Sequence, residues 1–234
     1  MLILAVDTST QQGSIALLDD GTELAEVHGR EETPYSERLF RDLRALKQKR
    51  EFDLKDIALY AVSFGPGSFT GLRVGLTAVK AWAEVYGKPI AAVSGLEAIA
   101  TQAAAGLSLI APVMDARRGQ VYGGLYRRGT GGSTELEQVI EDLVSSPSEY
   151  LELLTRRCGT EKPGIVSPTP EVMSAALQSH GRDGLVAARV SGVLAPMIGR
   201  IGFERAKRGA LTDALRLDAN YVRRSDAEAM WKGA

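Results

Sequence analysis

The stretch Ser63-Phe64-Gly65-Pro66-Gly67-Ser68-Phe69-Thr70-Gly71-Leu72-Arg73-Val74-Gly75-Leu76 constrains this 234-residue chain more than any other. An apolar run, Ala58 to Phe64, leads into it, and a long helical pattern, Thr70 to Tyr86, leads out. A strand, a glycine loop and a helix in that order offer unpaired N–H groups of the kind that hold phosphates. The spacing is not that of a Walker A loop, which needs four residues between its glycines and then Gly-Lys-Ser/Thr. Three residues separate Gly67 from Gly71, and Leu72-Arg73 follows. Gly-x-Gly-x-x-Gly does not match either. The loop has the form of a binding loop without the lysine and hydroxyl that serve phosphate transfer.

The helix after the loop is apolar almost all round. At 100° per residue, Arg73, Thr77, Lys80 and Glu84 fall in one narrow strip. Gly71, Gly75, Ala78 and Trp82 lie opposite, Leu72, Leu76, Val79 and Ala83 form one flank, and Val74, Ala81 and Val85 form the other. A helix lying on a sheet needs one apolar face, so this one has a surplus. Its glycines allow close backbone approach, at about 1 kcal/mol each relative to alanine. The surplus is expected either to pack inside the molecule or to serve as a surface for a partner protein. Ser36 to Lys49 reads as an amphipathic helix with a stripe of Leu39, Phe40, Leu43 and Leu46 and with Arg38, Arg41 and Arg44 on its polar side. One flank of the later helix is expected to pack on it.

The chain opens with short strands, Leu2 to Val6, Ser14 to Leu18 and Glu23 to His28, joined by the polar turn Asp7 to Gly13 and by Asp19-Asp20-Gly21. Asp53 is placed to cap a short turn before the strand Ala58 to Phe64. Pro89 to Val93 is a strand, Gly95 to Ala105 an alanine-rich helix, and Gly106-Leu107-Ser108 a hinge. The opening plan then recurs. Leu109 to Met114, the turn Asp115-Ala116-Arg117-Arg118-Gly119, and the strand Gln120 to Tyr126 repeat the order strand, Asp, polar turn with glycine, strand. Gly129 to Ser133 is a hairpin tip, and Glu135 to Ile140 a strand. Ser146-Pro147-Ser148-Glu149 has capping-box form and opens a helix to about Arg157. Gly164 to Ser167 and Leu185 to Val190 read as strands, Pro170 to His180 as a helix, and Val193 to Lys207 as a helix interrupted by Gly199 and Gly202. The expected division is a lobe of residues 1–106, a second of 107–210, and a tail of 211–234 that packs back on the first.

Chemistry is sparse in this inventory. Two histidines, His28 and His180, stand far apart, and Cys158 is the one cysteine. No His-x-x-x-His or Cys-x-x-Cys pair suggests a metal, and no Gly-x-Ser-x-Gly elbow suggests a nucleophile. Asp7 and Asp115 each end a strand before a polar turn. In a two-lobed nucleotide-binding protein such acids position magnesium or water; otherwise each accepts backbone N–H bonds within its own turn. Arg117 and Arg118 could meet phosphate or an acidic partner, or stand as ordinary hairpin charges. A formal net charge of −1 gives no global field towards nucleic acid, and one cysteine makes the cytoplasm the default compartment. The first residues lack a basic n-region, and no apolar run is long enough to span a membrane.

Gly65 to Gly75, preceded by Asp7-Thr8-Ser9 and followed by Met114-Asp115-Ala116-Arg117-Arg118-Gly119-Gln120-Val121-Tyr122, resembles the TsaB (YeaZ) family. Beyond Tyr122 the resemblance is loose and rests chiefly on Tyr221-Val222-Arg223. It implies an α/β fold of the actin/Hsp70/sugar-kinase kind, with two ribonuclease-H-like lobes of mixed sheets flanked by helices. It further implies a non-catalytic scaffold that binds TsaD, with the ATPase TsaE, for threonylcarbamoyl transfer to adenosine 37 of tRNA. The implied heterodimer forms through the first two helices of the N-terminal lobe, here Ser36–Lys49 and Thr70–Tyr86. The expected partner-binding residues are Leu39, Leu43, Leu72, Arg73, Leu76, Val79 and Lys80. A homodimer is the alternative pairing when the chain is alone, and tRNA is met indirectly, through the complex. No cofactor is expected for the chain itself, ATP and Mg²⁺ belonging to the complex if anywhere. A nucleotide cleft would be lined by Asp7, Ser9, Gly67, Ser68, Asp115 and Arg118. The other reading of the loop and its acids is an enzyme: a nucleotide hydrolase, a kinase-like enzyme of the same fold, or a peptidase. The chain departs from the family at Tyr35-Ser36-Glu37 (commonly His-Ser-Glu), at Ser63-Phe64 (Gly-Arg) and at Ala219-Asn220-Tyr221-Val222-Arg223 (Pro-x-Tyr-Leu-Arg).

Overall fold

The computed structural model describes residues 1–29, 35–129, 136–180 and 187–223. It divides into two units, Met1–Ala98 with Val193–Tyr221, and Ile99–Gly192 with Val222 and Arg223. The first unit holds strands β1 (Leu2–Asp7), β2 (Ser14–Asp19), β3 (Thr22–His28), β4 (Leu59–Gly65) and β5 (Ile90–Ser94). Its helices are α1 (Tyr35–Lys49), α2 (Phe69–Tyr86) and a short α3 (Gly95–Ala100). The second holds β6 (Leu109–Arg117), β7 (Gln120–Arg128), β8 (Leu136–Ser145), α4 (Pro147–Cys158), β9 (Gly164–Ser167), α5 (Ser174–Ser179) and β10 (Ala188–Arg189). The chain then returns to the first unit through α6 (Ala195–Lys207).

The recurrence seen in the sequence is a recurrence of topology. The first sheet runs β3-β2-β1-β4-β5 and the second β8-β7-β6-β9-β10. In each, three antiparallel strands are followed by two parallel ones, with a helix in each parallel crossover. α1 and α2 take those places in the first unit, α4 and α5 in the second.

Period-2 alternation divides the first sheet's side chains between two layers. Leu4, Val6, Ile15, Leu17, Tyr60 and Val62 face a core shared with Leu39, Leu43 and Leu46 of α1 and Leu72, Leu76 and Val79 of α2. α6 covers the other face, where Ala61 and Ala91 lie under it. A Cβ on Gly202 would lie 2.9 Å from that of Ala61 and 3.2 Å from that of Ala91, and one on Gly199 would overlap Leu18. These glycines do not interrupt the helix. They let it lie close on the sheet, which is why the chain tolerates their low helix propensity. Arg205 fixes the end of α6 through the Ala92 carbonyl and Glu97, the latter at 2.6 Å.

The lobe boundaries expected at 106 and 210 move accordingly. Gln102 exchanges hydrogen bonds with Ser191 inside the second unit, so the crossing comes near residue 98. The return to the first unit begins at Val193, with α6, rather than at residue 211. Residues 211–221 follow it there: Thr212 bridges Ile90, and the Asn220 N–H donates to the Phe64 carbonyl at 2.7 Å.

Local expectations fare unevenly. The capping box is complete, with Ser146 Oγ accepting the Glu149 N–H and Glu149 accepting the Ser146 N–H. The helix expected over Gly95–Ala105 ends at Ala100 in tighter turns. The expected helix Pro170–His180 is a 3₁₀ turn, Pro170–Met173, followed by α5. Asp53 precedes its 3₁₀ turn without a side-chain cap, its carboxylate lying 3.4 Å from Lys47 and 3.6 Å from Lys55 instead. The expected hairpin tip beyond Gly129, Glu135 and the start of the strand at Leu185 fall outside the described residues.

Candidate functional site

β1 ends at Asp7 and pairs it with Ser14, leaving Thr8–Gly13 as a turn. Asp7 is fully buried. Its Oδ1 accepts the Ser9 N–H at 2.9 Å and the Ser9 hydroxyl at 2.6 Å, and its Oδ2 accepts the Thr10 hydroxyl at 3.4 Å. α1 closes the turn from outside. The Tyr35 hydroxyl donates to the Thr10 carbonyl, and the Arg38 guanidinium donates to the carbonyls of Gln11 and Gln12. Arg38 also pairs with Asp42 at 3.0 Å and lies over the Tyr35 ring at 4.9 Å. The helical wheel puts Arg38 on the polar side. The structure instead buries it to 2 % exposure, because its donors meet two carbonyls and a carboxylate. Burial, reinforced by the nearby charge of Asp7, raises the Tyr35 phenol, so it stays a donor at neutral pH.

The glycine loop is packed against the same turn. The Gly65–Pro66 bond is cis. Ser68 caps α2, its hydroxyl accepting the Gly71 N–H at 3.2 Å, and its own N–H donates to the Ser9 carbonyl at 2.8 Å. The Thr8 hydroxyl donates to the Gly71 carbonyl at 2.7 Å. A Cβ on Gly67 would overlap the Ser9 carbonyl, one on Gly71 the Thr8 carbonyl, and one on Gly75 the Thr8 hydroxyl. The glycines thus let the loop and the start of α2 lie against the Thr8–Ser9 backbone. Asp7, Ser9, Gly67 and Ser68 do come together, as a hydrogen-bonded knot that joins β1 to α2. Asp115 and Arg118 belong to the second unit. There Asp115 accepts the Arg117 N–H at 2.7 Å. Both acids therefore act within their own turns. Among the described residues no three His, Cys, Asp or Glu side chains are grouped to hold a metal ion.

Burial dominates at Asp7 and raises its carboxyl above the ordinary value, against the three donors and the charge of Arg38. A carboxyl protonated more readily in the folded state stabilises the fold at low pH. That contribution is complete below the ordinary value of about 4 and is lost as pH rises through the raised folded-state value. Relative to an Asp7→Asn variant, the wild-type chain should therefore lose stability as pH rises from about 4, and urea titrations at stepped pH measure this. A constant difference would contradict it.

The α1–α2 face differs from its expectation. Leu39, Leu43, Leu72, Leu76 and Val79 are all buried in the core between the two helices and the sheet, so they hold the lobe together and cannot be docking side chains. For Leu72, Leu76 and Val79 the reason is that α2 is apolar on both flanks, and periodicity does not say which flank meets the core. Arg73 is exposed and Lys80 half-buried. Among the apolar residues of the two helices, Phe40 is 58 % exposed, Val85 74 % and Tyr86 37 %, with Ala81 exposed beside the polar strip. Sequence reading missed the partner of Arg73. Its Nε donates to the Tyr221 hydroxyl at 3.1 Å, and its guanidinium stacks on Phe69 at 3.8 Å. Nothing local signals a contact across 148 residues.

Component A of (R)-2-hydroxyglutaryl-CoA dehydratase from Acidaminococcus fermentans superposes at a TM-score of 0.51 and 11% identity, over 88% of this chain and 99% of its own. YeaZ from Pseudomonas aeruginosa superposes at 0.71 and 24% identity, over 94% of this chain and 99% of its own. Two mixed five-stranded sheets of one repeated topology, flanked by helices, define an actin-like protein of the sugar-kinase fold class. A family described as TsaD, tRNA N6-adenosine threonylcarbamoyltransferase, matches residues 32–179. The tRNA threonylcarbamoyladenosine biosynthesis protein TsaB of Bacillus subtilis is 33% identical over 99% of this chain and 98% of its own. The chain belongs to the TsaB (YeaZ) family. No helix among the described residues is long and apolar enough to cross a membrane.

Proposed function

We propose that this chain is a non-catalytic subunit that docks TsaD through the outer face of α1 and α2. TsaE joins the assembly, and the complex carries threonylcarbamoyl transfer to tRNA in the cytoplasm. The observation that carries this reading is the outward exposure of Phe40 and Val85 on two helices whose inner faces are fully used by the core. Exposed apolar side chains beside arginines are the ordinary material of an interface. Against a nucleotide hydrolase, a kinase-like enzyme or a peptidase stands the commitment of Asp7, Ser9 and Ser68 to one another and to the backbone. ATP and Mg²⁺ then enter with the complex and not with this chain.

Phe40→Glu/Val85→Glu should abolish co-elution with TsaD on size exclusion while leaving the melting temperature within a degree or two, since both side chains are exposed. Undiminished co-elution would rule out this face. Equal tRNA modification by TsaD and TsaE with and without the chain would rule out the role itself. ATP turnover by the chain alone, lost in Asp7→Ala, would favour the enzyme instead.

A further inference from the structure

The tail beside α2 ends in a contact that fixes one exposed arginine. Thr212 bridges Ile90, just beyond the C-terminal end of that helix. Leu217 is buried in the core that α2 shares with α1, and Tyr221 stacks on Phe69 in the first turn, ring centroids 4.8 Å apart. Arg73 completes the contact. Its guanidinium lies 3.8 Å over the Phe69 ring and 5.9 Å from the Tyr221 ring, and its Nε donates to the Tyr221 hydroxyl at 3.1 Å. A guanidinium holds all its N–H donors in one plane. The Nε bond and the stacked face fix that plane and leave the edge formed by Nη1 and Nη2. Among the described residues that edge meets no acceptor, and no carboxylate pairs with Arg73, which is exposed. A solvated arginine keeps its rotamer freedom; this one has given much of it up within the folded chain.

We infer that Arg73 is a preset receptor for one carboxylate of the protein that docks on α1 and α2, with Phe69 and Tyr221 as its positioning residues. The inference rests on the docking role proposed above. A carboxylate accepts two parallel N–H bonds from one edge of a guanidinium, and the Nη1–Nη2 edge supplies them. Ordering spent within the fold is not spent again on binding, so a braced arginine binds more tightly than a loose one. Arginine and tyrosine are also the residue types that carry the energy of protein interfaces. The phosphate backbone of RNA is a poorer match, because it is bound by several cations acting together. The exposed neighbours of Arg73 one turn away on α2, Thr70 and Thr77, are neutral. One fork among neutral neighbours fits one acid.

The test is calorimetric titration of the full chain into TsaD across a series of NaCl concentrations. Arg73→Gln should weaken the complex about tenfold in low salt, and the deficit should narrow as salt rises. Arg73→Lys should stay close to Arg73→Gln, since an ammonium keeps the charge and loses the fork. Tyr221→Phe keeps the ring and removes the hydroxyl. It should cost about threefold in the wild-type chain and nothing in the Arg73→Gln chain. A tail that merely braced the fold would give the same loss in both, and that result would overturn the inference. Tyr221→Phe, which keeps the stack on Phe69, decides the matter if Arg73→Gln folds poorly. Arg156→Gln, at an exposed position on α4, should bind as wild type. Wild-type affinity in Arg73→Gln, full recovery in Arg73→Lys or an equal loss in Arg156→Gln would each overturn the inference. So would an equal change in Asp226→Asn/Glu228→Gln, which would give the fork to carboxylates of the chain itself. Loss of tRNA binding by Arg73→Gln with TsaD binding intact would make the fork a phosphate contact and overturn it too. If Phe40→Glu/Val85→Glu abolishes co-elution while Arg73→Gln binds as wild type, this inference falls and the docking role stands. If Phe40→Glu/Val85→Glu leaves co-elution undiminished, the docking face falls and this inference with it.

Discussion

Arg38→Leu is expected to lower stability by about 3 kcal/mol, a fall of about 6–12 °C in melting temperature for a chain of this size. The variant keeps most of the side-chain volume but removes the guanidinium from three acceptors. The Gln11 carbonyl loses its bond to it, the Gln12 carbonyl keeps the Gly29 N–H at 3.4 Å, and Asp42, only 15 % exposed, loses its ion pair with Arg38. Removing one partner of a buried pair costs about 3–5 kcal/mol, and the residual exposure of Asp42 argues for the lower end. Arg38→Lys should rescue little, because one ammonium cannot reach both carbonyls and the carboxylate in the fixed geometry of a guanidinium. Urea unfolding of the three proteins at neutral pH measures the difference. A loss below about 1 kcal/mol, the worth of an ordinary hydrogen bond, would mean that the clamp on the turn does not bear on stability.

Gly71→Ala should also destabilise, against the direction that helix propensity gives. Within an exposed helix the change gains about 1 kcal/mol. At this position the new methyl meets the Thr8 carbonyl, a backbone atom held by the β1 turn. It can move only by breaking the bonds from Thr8 to Gly71 and from Ser68 to Ser9. Overpacking of a closed site costs about 1–3 kcal/mol and sometimes more, so the net effect is a loss. Gly75→Ala should be milder, because its methyl meets a side-chain atom, the Thr8 hydroxyl, which can turn aside at the cost of its bond to the Gly71 carbonyl. A Gly71→Ala chain that melts higher than wild type would show that α2 does not seat on the turn as described.

What the sequence reveals follows from how local each cause is. β1, β2, α2 and the Ser146 cap depend on period and on neighbours within a few residues, and they read correctly. The repeated Asp-turn plan also reads correctly, since it marks the start of each sheet. Arg38 fails because a charge on a wheel says nothing of the carbonyls that await it from a turn more than twenty residues earlier. Gly199 and Gly202 fail because their reasons lie in Leu18 for the first and in Ala61 and Ala91 for the second, on strands that α6 meets only after the chain has built the second unit. At the candidate site, the loop motif locates residues that come together, but not the contacts they make with one another. Its glycines admit Thr8 and Ser9, which no spacing rule for phosphates includes.

The late return of α6 bears on how the protein is made. Ile3, Ala5, Leu18, Leu59, Ala61 and Val93 have no exposure in the finished molecule. The helix that covers their face of the sheet begins at Ala195, so a ribosome has to translate the whole intervening unit first. At about 5–20 residues per second, an apolar sheet stands open for several seconds on every nascent chain. The first unit is begun first and completed last, and a chaperone that shields a bare β-sheet would find its client in that interval.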